Sequence, residues 1–256
     1  MEKFKLSLEA EILKAKNSLA LWLSFLGTTG IIIAFFFILL LGTESFLPSG
    51  QEQPWRHFFK IYYEGTAFML LPLFAIITAT LVCYIEHSNN TWKHLLISTV
   101  PRYSLYLSKL SLTFLIIITA HLYFIILMLI SGGILGFIRP ELQLFDAPPD
   151  FIFLFKLAIK TLLSVSGMLA IQFWVSMRFK NFIVALGVGV IGFVLSSLLI
   201  DSWYYVIFIP YTYPLLYLRE AFLEIWLSRV EIFSIAFFLL YTLLGLFDFQ
   251  KMTIKM

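Results

Sequence analysis

Glu86, Thr91, Trp92, Lys93, Leu95, Leu96, Pro101, Arg102 and Lys109 stand in one polar stretch, EHSNNTWKHLLISTVPRYSLYLSK, with a long charge-free run on either side. Their types suit docking to a partner better than catalysis. Trp92, Leu95 and Leu96 form a compact apolar anchor of the kind that dominates interface energetics, and a solvated loop gains nothing by exposing it. Lys93 and Arg102 can pair with carboxylates or phospholipid, and Lys109 closes the stretch. Pro101 breaks a helix and redirects the chain. Glu86 could accept hydrogen bonds from the start of a following helix or pair with Arg102; the sequence leaves both open.

Chemistry of the catalytic kind finds little support. The chain has no GxxxxGK[ST] phosphate loop, no HExxH and no defensible Ser, His and Asp arrangement. No catalytic residue, no metal site and no cofactor bound by the chain are expected. Cys83 is the single cysteine, which removes any disulfide within the chain and reads as a small buried apolar residue. His121 and Gln172 fall inside apolar runs, where polar side chains are costly and tend to hydrogen-bond across helices. Lys156 and Lys160 are four residues apart, hence on one helical face. With His121 they are candidates for lipid or substrate contact, against a bland reading as snorkelling side chains. Ala185, Gly189, Gly192 and Ser196 recur at spacings of 4, 3 and 4, a seam of small residues where another helix of this chain or of a second copy can approach closely.

These residues must be positioned by membrane helices. Hydrophobic residues make up 61% of the 256 and charged ones 13%, about half the usual 25% of soluble domains, and the mean hydropathy is +0.93. The charge-free runs predict six spans, at 19–42, 66–85, 110–134, 157–177, 181–200 and 229–248, within a single domain over 1–256. The fourth and sixth extend past Lys160 and Glu231, which are expected to snorkel outward. No Asp or Glu lies in any charge-free core, which disfavours an ion-coupled carrier. The first apolar run exceeds the about 7 to 15 residues of a signal-peptide core, so no cleaved leader is expected.

With the N-terminus in the cytosol, Lys3, Lys5, Lys14, Lys16, Lys93, Arg102, Lys109, Arg178, Lys180, Lys251 and Lys255 fall inside. These are eleven of the 18 basic residues, so the positive-inside rule puts both termini in the cytosol and the chain in the cell membrane. Before the first span, Phe4, Leu8, Ile12, Ala15 and Leu19 make an apolar stripe over 1–18, with lysines for lipid phosphates. This predicts an amphipathic helix on the inner leaflet. A seventh apolar run, SWYYVIFIPYTYPLLYL, carries Pro210 and Pro214 and seven aromatic residues. It is expected to form a re-entrant or surface-lying outer element over 202–228, its aromatics anchored at the interface, with an amphipathic helix near Arg219 to Arg229.

Glu86, Thr91-Trp92-Lys93, Leu95-Leu96, Pro101-Arg102 and Tyr106 to Lys109 resemble the pattern of ABC-2 type permeases. The EILKAK run near the N-terminus, the six spans, the short MRFKN turn and the Pro-rich element before the last span extend the resemblance over nearly the whole chain. In length and in the form of EHSNNTWKHLL it looks most like the small lantibiotic and bacitracin self-protection permeases. The resemblance implies an all-α integral membrane protein with a coupling helix within 86–109. It also implies a cytosolic ABC ATPase partner in two copies, binding ATP and Mg in that partner, and a second permease chain, identical or related. Membrane lipids are the other expected partner, with no nucleic acid. The function implied is the permease of an ATP-driven exporter of an antimicrobial peptide or other amphipathic compound. The alternative is a non-transporting component of an envelope assembly or motility machine.

Overall fold

The charge-free runs fold as helices that continue past their apolar cores, because polar side chains at a span's end do not stop a helix unless a cap or proline does. A computed structural model of the chain describes residues 2–16, 18–42, 53–66, 70–89, 100–201, 204–221 and 227–251. Among these the secondary structure is helical, without strands. In chain order the helices are α1 Glu2–Ala15, α2 Leu19–Leu41, α3 Pro54–Gly65, α4 Leu71–Ser88, α5 Arg102–Ile138, α6 Phe151–Arg178, α7 Phe182–Leu199, α8 Tyr213–Ala221 and α9 Arg229–Lys251. Six of them, α2, α4, α5, α6, α7 and α9, are long and apolar enough to cross a membrane. The protein is an all-α, multi-pass membrane protein.

Local sequence sets the helix starts. Pro101 takes the N-cap position of α5 and its fixed backbone turns the chain into the helix. Asp150 caps α6 by accepting from the Phe153 N–H at 3.0 Å, and Asn181 caps α7 by accepting from Ile183 N–H at 2.9 Å. α9 opens with a capping box, SRVE: the Ser228 N–H donates to Glu231 Oε2 at 2.6 Å. Pro210 starts a short 3-10 turn and Pro214 sits in the first turn of α8, positions where a missing N–H costs nothing.

α6 and α9 pack along most of their lengths. Ser234 Oγ donates to the carbonyls of Leu163 and Ser164 at 2.7 and 3.0 Å and accepts from Gly167 N–H at 2.9 Å. Gly167 permits this approach, since a Cβ there would lie 2.8 Å from the Ser234 carbonyl oxygen.

At the end of the bundle far from α1, an aromatic layer closes the core. α3 contributes Trp55, Phe58, Phe59, Tyr62 and Tyr63, and α8 contributes Tyr213 and Tyr217, all buried together with Phe124 and Met128 of α5. The α3 segment PWRHFFKIYYEG carries Arg56, Lys60 and Glu64, so it is no charge-free run and is not among the predicted spans. In the run at 202–218, where interfacial anchoring is expected, Tyr205 and Phe208 are exposed, while three other rings are not. Tyr213 and Tyr217 are enclosed because their rings complete the core that α3 begins, and Tyr211 is enclosed in the neighbouring core with Phe193 and Leu215.

The buried face of α1 differs from the apolar stripe. Ser7, Glu11 and Ala15, each four residues apart, face the protein, while Ile12 is exposed and Phe4 and Leu8 are half-buried. A polar face is buried here because it meets charged partners.

Candidate coupling interface

Four charged side chains converge where α1, α4 and α5 meet. Lys109, on the second turn of α5, donates to Glu11 Oε2 at 2.5 Å and to Glu86 Oε1 at 3.3 Å. Lys14 donates to Glu11 Oε1 at 2.9 Å and to Glu86 Oε1 at 2.8 Å. Glu86, Glu11 and Lys109 are 1%, 3% and 2% exposed, whereas Lys14 closes the cluster from the solvent side with 36% of its side chain exposed; two carboxylates and two ammoniums balance in charge, the condition under which buried ions are tolerated. Burial pulls the Lys14 ammonium down, but hydrogen bonds and charge from Glu86 and Glu11 more than offset it and hold the group above its ordinary value. Beside the cluster, the Ser7 and Ser108 hydroxyls hydrogen-bond at 2.8 Å and fix α1 along the first turns of α5. Within the cluster Glu86 accepts from Lys14 and Lys109.

Arg102 reaches α9, donating through Nη1 to the Gln250 carbonyl at 2.6 Å, where a cation favours the carbonyl end of a helix. Two residues earlier, Asp248 accepts from Arg178 at 2.9 Å and from Trp174 Nε1 at 3.2 Å, joining α9 to α6. This end of the bundle is therefore laced together by polar contacts around the exits of α4 and the entry of α5. Thr91, Trp92, Lys93, Leu95 and Leu96 lie outside the described residues; Glu86, Pro101, Arg102 and Lys109 bracket that segment on both sides.

Sequence reasoning missed Glu11, Lys14, Asp248 and Gln250. Glu11 and Lys14 carried a signal, since they share a helical face with each other and Glu11 falls in step with Ser7 and Ala15. Asp248 and Gln250 offered none beyond lying near a helix end.

Residues 7–196 match the family model described as ABC-2 family transporter protein, a stretch that holds the charged cluster, four of the six spans and most of a fifth. The chain belongs to the ABC-2 transporter family. No curated protein matches it. ABC-2 family membership makes the chain the membrane component of an ABC transporter, associated with an ABC ATPase and not itself that ATPase.

Elsewhere in this ABC-2 subunit the other candidate residues fall in separate places. The seam of Ala185, Gly189, Gly192 and Ser196 is taken up within the chain: Gly189 abuts Gln172 of α6 and Ile76 of α4, and Gly192 abuts the Tyr211 ring. Gln172 is the polar hub of this contact. Its Nε2 donates to Thr80 Oγ1 at 3.1 Å and to the Ala185 carbonyl at 3.0 Å, and its Oε1 accepts from Tyr211 OH at 2.8 Å. His121, on α5, lies 3.3 Å from Tyr63 OH through Nε2. Lys156 is half-buried.

Lys160 and Glu231 do not snorkel. They are 1% and 0% exposed and face each other at 3.9 Å between α6 and α9. Glu231 is tied to Ser228 at the start of α9, and each ion supplies the countercharge that lets the other stay inside.

Proposed function

We propose that the chain is the permease subunit of an ATP-driven exporter, and that residues 86–109 receive the motion of a cytosolic ATPase. The observation that carries this reading is the charged cluster. It fixes the exit of α4 and the entry of α5 to α1, so that a load applied between them passes to two spans and the interfacial helix together. Trp92, Leu95 and Leu96 supply the apolar anchor on the ATPase, with Lys93 beside it. Both termini and the α1 end of the bundle lie in the cytosol, as the distribution of Lys and Arg supports. Two ATPase chains, holding ATP and Mg, act on two permease chains in the cell membrane. The cargo is an antimicrobial peptide or a similar amphipathic compound moved outward.

Copurification tests the docking step. Trp92→Ala with Leu95→Ala is expected to abolish recovery of the ATPase with a tagged permease while leaving the permease in the membrane. Undiminished recovery would overturn the assignment. Stimulation of ATPase activity by an added amphipathic peptide in the reconstituted complex is expected for an exporter; a complex that hydrolyses ATP indifferently to every such compound would point to force transmission without transport.

A further inference from the structure

α2 and α4 meet on the α1 side through Ala20, Leu81 and Val82, with Leu112 and Ile116 of α5 behind them. Beyond that contact a cavity of about 290 Å³ lies between them, walled by Gly27 and Ile31 of α2 and Phe74 and Ile77 of α4, and floored by Ala120 and His121 of α5. The floor is buried, with Ala120 4% exposed. Gly27, Ile31, Phe74 and Ile77 are wholly or partly exposed, so the cavity opens sideways from the bundle. It opens at mid-span, as the position of Ala120 halfway along the 37 residues of α5 requires.

We infer that this cavity is a binding site for one acyl chain of a membrane lipid. Its walls are apolar apart from the His121 edge and two threonines, Thr28 and Thr66. Its mouth faces the hydrocarbon layer, where lipid chains are the solvent. The volume corresponds to roughly ten water-sized groups, the bulk of a run of methylenes. An empty apolar cavity forfeits dispersion contacts along its lining, which a chain entering from the side restores. Gly27 lines the mouth, and a Cβ built there meets nothing within 4 Å, so there is room for a larger side chain to stand in the opening. The site lies within one subunit and stands or falls independently of ATPase docking.

The test uses the full chain in nanodiscs containing phosphatidylcholine with a diazirine at mid-chain, with adducts mapped by peptide mass spectrometry. Ala120 and Ile117 are sheltered from lipid packed around the outside, whereas Leu122 and Ile126 are exposed on the same helix. Wild-type protein is expected to carry adducts at both places. Gly27→Leu is expected to reduce the floor adducts several-fold and leave those at Leu122 and Ile126 unchanged, while Gly133→Leu, at another glycine with open space, changes neither. Ile77→Trp narrows the same mouth from α4 and should act as Gly27→Leu does. A floor that stays unlabelled while Leu122 and Ile126 react overturns the site, as does floor labelling indifferent to both mouth substitutions. Efficient disulfide dimers of Gly27→Cys in a Cys83→Ala background, with an unlabelled floor, would assign the groove to a second copy instead.

Discussion

Glu86 shows how one buried carboxylate makes neighbouring ions tolerable. Its replacement by Ala removes one of the two carboxylates set against Lys14 and Lys109, leaving excess positive charge beside the buried Lys109. Thermal unfolding in detergent micelles should show a loss of about 3–5 kcal/mol, the usual cost of stranding a buried charge. Removing a partner at the same time should help: Glu86→Leu with Lys109→Met keeps the Glu11 and Lys14 pair at 2.9 Å and restores neutrality. The double variant should therefore be more stable than Glu86→Ala, and strict additivity of the separate losses would contradict this account. Asp150 makes a second case, outside the spans. The Phe153 N–H bond, followed by the Arg56 guanidinium at 2.6 Å, holds its carboxyl below the ordinary value. A depressed carboxyl stabilises the fold fully above the unfolded carboxylate range, near pH 4, and loses that contribution as pH falls through the folded value. Acid titration of the melting temperature should thus show a decline in wild type that Asp150→Asn lacks.

Among the elements, α6 with α9 is the pair whose contact leaves least room. Gly167→Val is expected to cost about 1–3 kcal/mol, because the obstacle is the Ser234 backbone carbonyl and backbone cannot rotate aside as a side chain can. Unfolding by heat or denaturant would read the loss, and wild-type stability in this variant would show that the helices can part freely. The elements also show what the sequence disclosed. The spans were legible because charge-free runs of this length have one stable solution in a membrane. α3 was equally legible in principle: Trp55, Phe58, Phe59, Tyr62 and Tyr63 follow helical spacing, yet a search for uncharged runs discards a helix containing Arg56, Lys60 and Glu64. The pairing of Lys109 with Glu11, and of Lys160 with Glu231, was beyond reach, since each joins residues distant in sequence whose meeting depends on how helices stack.

At the scale of the whole molecule the two ends of the bundle are built differently. Around α1 the helices are joined by ions and hydrogen bonds, through Glu11, Lys14, Glu86, Lys109, Arg102 and Asp248. At the far end rings from Trp55 to Tyr217 fill the core, and the Arg56–Asp150 and Lys160–Glu231 pairs join helices beside them. α5 is the element that belongs to both. Its 37 residues run about 55 Å at helical rise, far more than the hydrocarbon thickness, and no proline interrupts them. Such a helix behaves as a connecting rod without a joint. A tilt of about 10° around its midpoint would carry each end about 5 Å in opposite directions, by the geometry of a rod that long. Spin labels at Tyr103 and Phe137, exposed at its two ends, should therefore move in antiphase against fixed points on α6 when the complex takes up nucleotide, so that a push delivered beside the charged cluster arrives among the aromatic rings as a pull.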